Sequence, residues 1–272
     1  MSRLGLIAGN GQFPLLFAEA ARAEGVEIVA VAQEGETPAE ITALLPEVTW
    51  VRVGELGKII TTFQQAGVTQ AVMAGGINKA GAMTNIQPDA RGLAFIGKMP
   101  NLKDDVILRG LAQELEGEGI TVIESTRYLS ALIPEIGVLT SAKPDTQQWD
   151  DIQLGVTVAK EIGRWDIGQS VVVKRGTVFA VEGAEGTSAA IRRGGELGGA
   201  GTVVVKVSKP QQDLRFDVPA IGPETIAVMH EVGTAVLAIE AHKTLMIERE
   251  ALLTKANKVS IRVVAVSVNS DR

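Results

Sequence analysis

Between Lys209 and Pro219 the sequence runs Lys-Pro-Gln-Gln-Asp-Leu-Arg-Phe-Asp-Val-Pro, its densest group of chemistry-bearing side chains. If Asp213 to Val218 is extended, the two-residue period of a strand sends Asp213, Arg215 and Asp217 to one side and Leu214, Phe216 and Val218 to the other. The apolar side anchors the segment, and the polar side holds two carboxylates flanking a guanidinium. That set is either a solvated ion network of little energetic weight or an oxygen-ligand site for a hard cation beside a phosphate clamp. Pro210 and Pro219 stiffen both ends, which a solvated edge would not need, and this favours the site.

A second group is Val181-Glu182-Gly183-Ala184-Glu185-Gly186-Thr187. It joins a strand end to a helix start through two glycines and puts a hydroxyl at the expected N-cap, a geometry that binds anions. Glu182 and Glu185 repel a bare phosphate, so a divalent cation or Lys174 must offset them; the plain alternative is a capped strand-to-helix loop. Gly9 and Gly11 stand at the mouth of the first strand, where backbone N–H groups meet phosphates in nucleotide folds. The position of the third fingerprint glycine is Pro14, which breaks the dinucleotide pattern and leaves a tight turn as the equal alternative. Lys103 and Asp104 open a helix behind Asn101, and capping accounts for most of that segment. His230 and His242 have no ligand-spaced partners and are read as structural, and no G-x-S-x-G elbow supports acyl-enzyme chemistry.

These groups sit in 272 residues, long enough for one large domain or two modest ones. With 46% hydrophobic and 21% charged residues the chain is globular. No Cys and only two His exclude disulfides, thiolate nucleophiles and Cys/His zinc centres, so a bound metal rests mainly on oxygen ligands. A net charge of −6 argues against a nucleic-acid partner. The first apolar run stops at Gly9-Asn10-Gly11, too short for a secretory signal, and none approaches the roughly 18 residues of a spanning helix. A cytoplasmic protein with at most peripheral membrane contact is expected.

Strand and helix signals alternate through the first third. Leu4 to Ala8, Val26 to Ala32, Gln70 to Ala74 and Thr121 to Glu124 read as strands, with helices at Pro14 to Glu24, Gly57 to Ala66 and Lys103 to Glu116. The order implies an α/β fold with an N-terminal Rossmann-like parallel sheet. Ile133 to Asp151, rich in Pro, Gly and Gln, reads as a linker, placing the boundary between domains 1–135 and 136–272 there. Beyond it come a helix from Asp150 to Ile162, a hairpin turning at Arg175-Gly176, and further strands and helices of a mixed C-terminal α/β domain.

The stretches LIAGNGQFP, MPNLKDD, DIGQSVVVKRGTVFAVEGAEGT, KPQQDLRFDVPAIGPETI and AIEAHKTLMIERE resemble, in order and over nearly the whole chain, the metal-dependent UDP-2,3-diacylglucosamine pyrophosphatases of lipid A synthesis, the LpxI type. The resemblance implies a two-domain, cytoplasmic, homodimeric enzyme that binds an acylated UDP-sugar between its domains. It implies a need for Mg2+, with Mn2+ as the other hard cation, and products UMP and 2,3-diacylglucosamine 1-phosphate (lipid X). The family's essential aspartate then falls in QDLRFD, assigned to Asp217 before Asp213. Asp217, Asp213 and Glu182 are the expected metal ligands. Gly9, Gly11, Lys103, Asp104, Lys174, Thr187, Lys209 and Arg215 are the expected substrate contacts. Ser188 after EGT and His242 in a turn depart from the family pattern and bear on substrate fit. Two other classes remain: a nucleotide-dependent oxidoreductase using Gly9, Gly11 and Glu34, and a non-catalytic module that binds UDP-sugars.

Overall fold

The computed structural model describes residues 3–77, 86–101, 104–215 and 217–268. The chain forms two compact units, residues 1–130 with 213–217, and residues 131–212 with 218–272. This differs from a single cut at 135/136. The chain leaves the first unit after Ser130, and the aspartate motif returns to it.

The first unit is built from β1 (Arg3–Ala8), α1 (Phe13–Ala23), β2 (Glu27–Gln33), α2 (Ile41–Leu44), β3 (Val48–Val51), α3 (Leu56–Gln65), β4 (Gln70–Ala74), α4 (Ala90–Lys98), α5 (Asp104–Gly117) and β5 (Thr121–Val122). Its sheet has the order β3-β2-β1-β4-β5 and every pair is parallel. Central strands of such a sheet are covered on both faces, which is why they read as unbroken apolar runs. Ile7, Val31, Val51 and Met73 share one cluster with Phe63 of α3 and Leu115 of α5. Phe17 of α1 is fully buried and meets Tyr128 edge to face at 5.7 Å.

The second unit contains β6 (Gly137–Val138), α6 (Thr146–Arg164), β7 (Ser170–Lys174), β8 (Thr177–Val181), α7 (Thr187–Gly198), β9 (Val203–Lys206), β10 (Ala220–Ile221), α8 (Pro223–Glu231), β11 (Val236–Glu240), β12 (Leu245–Met246), α9 (Arg249–Lys258) and β13 (Arg262–Val266). The main sheet runs β6-β13-β11-β9-β7-β8. β9, β11 and β13 are parallel, whereas β7 opposes β9 and β8 opposes β7. Alternate residues of β9 and β11 face opposite layers: Val204, Leu237 and Ile239 join Ile191, Ile226, Met229 and Leu252 of α7, α8 and α9. Val203, Val205, Val236 and Ala238 join Ile152 and Ala159 of α6. The α/β class and its mixed C-terminal sheet are thus as the sequence implies.

The stretch read as a linker is more structured than its composition suggests. Two of its residues, Gly137 and Val138, pair with β13, and α6 starts at Thr146 rather than Asp150. Asp145 caps the helix by accepting from the Gln148 N–H at 2.9 Å, and Gln148 returns the contact to complete a capping box. The hairpin expected at Arg175-Gly176 is present, both residues having positive φ. Asp151 of α6, 2% exposed, accepts from the Arg175 and Gly176 N–H groups at 2.8 and 2.7 Å and fixes that turn from beneath.

Candidate active site

In the second unit, β8 runs parallel to β9 because each opposes β7, so β8, β9 and β11 end at one edge of the sheet. Those ends deliver Glu182, Lys206 and Glu240, all at most 9% exposed. Thr187, the first residue of α7, links two of them. Its hydroxyl donates to Glu182 Oε1 at 2.7 Å and accepts from Lys206 Nζ at 3.3 Å. Glu182 Oε2 accepts from the Gln169 N–H at 3.2 Å, and Lys206 also donates to the Ala220 carbonyl at 2.9 Å. A buried ammonium therefore stands beside a hydroxyl at the start of a 12-residue helix, where the helix end adds partial positive charge.

Two assignments change here. Gly186, at φ 81°, is the N-cap of α7, so the Thr187 hydroxyl serves Glu182 instead of capping. Lys174 does not offset the acidic loop. Its ammonium donates to the Gly198 and Ala200 carbonyls, both at 2.7 Å, at the far end of a helix about 18 Å long. Lys206 takes the place given to Lys174. A lysine inside the apolar run Val203-Val204-Val205-Lys206-Val207 was the available signal, since lysine is rarely buried without a reason. Glu185 is held by Arg193 at 2.5 Å and by the Gly183 N–H, contacts that keep its carboxyl below the ordinary value. Lys209 is paired with Asp166 at 2.5 Å.

Glu240 anchors the neighbouring strand exit. Its Oε2 accepts from Lys160 Nζ, the Ser208 N–H and the Ser208 hydroxyl, each at 2.8 Å, and Lys243 reaches Oε1 at 2.8 Å. Burial by itself would raise the Glu240 carboxyl, but hydrogen bonds from Lys160, Lys243 and Ser208 outweigh it and hold the group below its ordinary value. Burial pushes the Lys160 ammonium down, against the opposing pull of Glu240.

The aspartate motif belongs to the first unit and is a turn, not an extended strand. The Asp217 N–H donates to the Asp213 carbonyl at 3.1 Å, and the Arg215 N–H to Asp213 Oδ1 at 3.1 Å. This side-chain-to-backbone contact two residues on is how Asp initiates turns, and with no partner strand nothing opposes it. Arg215 also grips both Asp213 oxygens, at 3.0 Å through Nε and 2.8 Å through the second terminal nitrogen; Arg109 lies 3.6 Å away. The Arg215 guanidinium holds the Asp213 carboxyl below the usual carboxylate range despite partial burial. Arg215 reaches on to Glu116 at 3.1 Å, and its carbonyl accepts from the Ser125 N–H. Asp217 is half-buried. Phe216 and Lys103 lie outside the described residues; of Asp104 the backbone alone is described, opening α5.

The expected metal ligands are therefore divided, Asp213 and Asp217 in one unit and Glu182 in the other. Among the described residues no group of three or more His, Asp or Glu is placed to hold an ion. Asp213 is engaged by guanidinium groups and Glu182 by Thr187 and Gln169. Mg2+ commonly uses only one or two carboxylates and fills its shell with waters and substrate phosphates. Asp217, half-buried and with contacts of its own, is one carboxylate of that kind.

Gly9 and Gly11 have distinct reasons. The Gly9 N–H donates to the Ala74 carbonyl and the Asn10 N–H to the Gly76 carbonyl, and a Cβ on Gly9 would lie 2.3 Å from the Gly76 oxygen. Gly9 is there for contact between two strand exits; Gly11, at φ 80°, has nothing within 4 Å of a Cβ position. Gly9→Ala is expected to destabilise the fold by about 1–3 kcal/mol through overpacking, read as an earlier denaturant midpoint.

An open groove of about 620 Å³ in the first unit is lined by Phe95, Met99, Pro100 and Val106 together with the charged side chains of Arg91, Lys98, Arg109, Glu114 and Glu118. No helix among the described residues is long and apolar enough to cross a membrane.

Comparison with known proteins divides the chain once, between residues 132 and 135, and leaves residues 213–217 with the C-terminal part. Family models of the LpxI N-terminal and C-terminal domains match residues 3–132 and 135–264. A relative from Caulobacter vibrioides, named UDP-2,3-diacylglucosamine pyrophosphatase LpxI, is 32% identical over 277 residues, which cover 98% of each chain. Among solved structures, the biotin carboxylase subunit of a pyruvate carboxylase aligns with 68% of this chain at 14% identity and a TM-score of 0.28; the chain spans 36% of that protein. N5-carboxyaminoimidazole synthetase from Staphylococcus aureus aligns at 12% identity with a TM-score of 0.26, the chain spanning 41% of it. Overlap that loose carries no argument. The two domain matches and the full-length relative do, and the chain belongs to the LpxI family.

Proposed function

We propose that the protein hydrolyses the diphosphate of UDP-2,3-diacylglucosamine, giving UMP and 2,3-diacylglucosamine 1-phosphate, with Mg2+, or Mn2+ in its place, as cofactor. The observation that carries this reading is the full-length match to a relative of that name, in a chain that keeps the QDLRFD and EGT segments. Asp217 would hold the ion, which when bound supplies charge neutralisation on the diphosphate oxygens.

The remaining work falls to the chain's own residues. Lys206 and the N–H groups opening α7 suit a phosphate oxygen, with the Thr187 hydroxyl set between Lys206 and Glu182. In the first unit, considered by itself, Arg215 is oriented by Asp213 and Glu116 and offers a fixed guanidinium of the kind that binds an anionic oxygen. Water attacks one phosphorus in line and forms a new P–O bond, the anhydride P–O bond breaks, the departing phosphate keeps the bridging oxygen as an anion, and the proton lost by the water passes to solvent. On this reading the enzyme is a cytoplasmic homodimer with peripheral contact to the membrane that supplies its lipid.

The test is release of UMP from the acylated UDP-sugar by purified protein with Mg2+, its loss in EDTA, and its return when Mg2+ or Mn2+ is added back. Turnover at full rate in metal-free buffer would remove the cofactor from the proposal. Binding of the UDP-sugar without UMP release would make the protein a non-catalytic module. Lys206→Met is expected to lower kcat by about a hundredfold, the usual loss on removing one charge-stabilising donor. An unchanged kcat would return Lys206 to a purely structural role.

A further inference from the structure

Gln33 closes β2 at the carboxyl edge of the first unit's parallel sheet and is 7% exposed. Among the described residues its buried side-chain oxygen has no hydrogen-bond partner. In folded proteins roughly nine in ten or more such groups are paired, so an exception calls for a physical reason. Loose local structure is not the reason. The Gln33 N–H donates to the Thr37 hydroxyl at 2.8 Å, that hydroxyl donates to the Ala8 carbonyl at 2.6 Å, and Asn10 donates to Glu36 at 2.9 Å. The loop from residue 33 to 37 is thereby stapled to the exit of β1, leaving the carboxamide oxygen as the unmet acceptor of an otherwise well-bonded corner.

The position of that acceptor matters. From β1 the sheet grows to β2 and β3 on one side and to β4 and β5 on the other. In open parallel sheets of this kind, ligands lie over the carboxyl ends at such a reversal, and an acceptor ending the second strand takes a ribose hydroxyl. Glu34 is the acidic residue nearest that place, but it is exposed, whereas Gln33 is buried. A carboxamide oxygen needs a donor, which an ionised diphosphate does not offer and a ribose hydroxyl does. At the exit of β1, nothing among the described residues lies within 4 Å of where a Gly11 Cβ would stand, so a ligand can approach the backbone before α1.

We infer that Gln33 binds the nucleotide half of the substrate by accepting a hydrogen bond from a ribose hydroxyl. The assignment rests on the uridine diphosphate substrate proposed above and makes Gln33 a specificity residue for ribonucleotides.

The experiment is a double-mutant cycle on the full chain, with wild type and Gln33→Met titrated with UMP, 2′-deoxy-UMP and 3′-deoxy-UMP by calorimetry, beside thermal melts and steady-state kinetics. Gln33→Met should bind UMP about tenfold more weakly and raise KM for the UDP-lipid more than it lowers kcat. Removing the contacted hydroxyl from UMP should cost wild type about as much and cost Gln33→Met almost nothing further. Because the oxygen has no partner among the described residues, Gln33→Met should melt at or above wild type, whereas a structural role would lower Tm together with affinity. Unchanged UMP affinity in Gln33→Met, with UDP-lipid turnover intact, would overturn this inference and leave the hydrolase standing. Losses that simply add for both deoxy-nucleotides would overturn it too, assigning the carboxamide to the uracil imide or another donor. Gln33-dependent UMP binding without turnover would support Gln33 while the hydrolase reading fails, and a wild type that does neither would overturn both.

Discussion

Asp217→Ala is expected to lower kcat for UMP release by about a thousandfold or more while leaving Tm and much of the substrate affinity in place. The size of the effect follows from the role proposed: a carboxylate that holds the catalytic cation acts mainly in the transition state, so its removal is felt in kcat before KM. The stability side follows from geometry, because the turn uses the Asp217 N–H, which any residue supplies, and the residue is half-buried. Asp213→Ala is the informative comparison. Asp213 accepts from the Arg215 N–H and guanidinium and lies near Arg109, so its loss should disorder the turn, lower Tm and lower activity together. A kcat loss confined to Asp213, with Asp217→Ala near normal, would reverse the two roles. Near-normal rates in both would reduce the segment to an ion network.

Glu240→Gln is expected to be the most destabilising single change in the second unit. It leaves the Lys160 ammonium, with a side chain 17% exposed, without its carboxylate. Breaking a buried pair from one side costs about 3 kcal/mol or more, which at this chain length is roughly 6–12 °C in Tm. Glu240→Gln combined with Lys160→Met should recover part of that loss, because the more buried of the two ammonium groups that Glu240 pairs is then gone, while Lys243 is partly solvated. The pH dependence has a definite sign. The folded-state pKa of Glu240 lies below its unfolded value, so the stabilisation is complete above the unfolded carboxylate range and is lost as pH falls through the folded value. An acid-unfolding midpoint that does not shift upward in Glu240→Gln would contradict the assignment.

The central strands were legible because they are buried on two faces and therefore written as apolar runs such as Gln70–Ala74, whereas the less buried edge strands β3 and β6 were not. The hairpin at Arg175-Gly176 was legible because its turn requires positive φ. The site was less so, since its contacts join residues far apart in sequence. Lys174 stands five residues from Phe179 and eight from Glu182 in sequence, and that nearness suggested a shared site; the fold turns its ammonium to the opposite end of α7. Lys206 interrupts an apolar run, and its meaning depends on Thr187, which only the packing of α7 onto the sheet supplies. The alternation drawn for Asp213 to Asp217 presumed a neighbouring strand, and without one the Asp213 side chain closed a turn instead.

The return of residues 213–217 to the first unit bears on how the protein is made. Ser125, fully buried, uses its N–H on the Arg215 carbonyl and places its hydroxyl 3.5 Å from the Leu214 carbonyl, 89 positions along the chain. The Arg109 and Glu116 side chains likewise meet partners that a ribosome adds only much later. Domains commonly fold as units during synthesis, amino-terminal end first. Here the nascent amino-terminal body stays unfinished until most of its successor has been translated. Cutting the gene after codon 130 should therefore give a fragment that is less stable than its sheet suggests, and adding a synthetic peptide spanning residues 208–220 should raise its melting temperature.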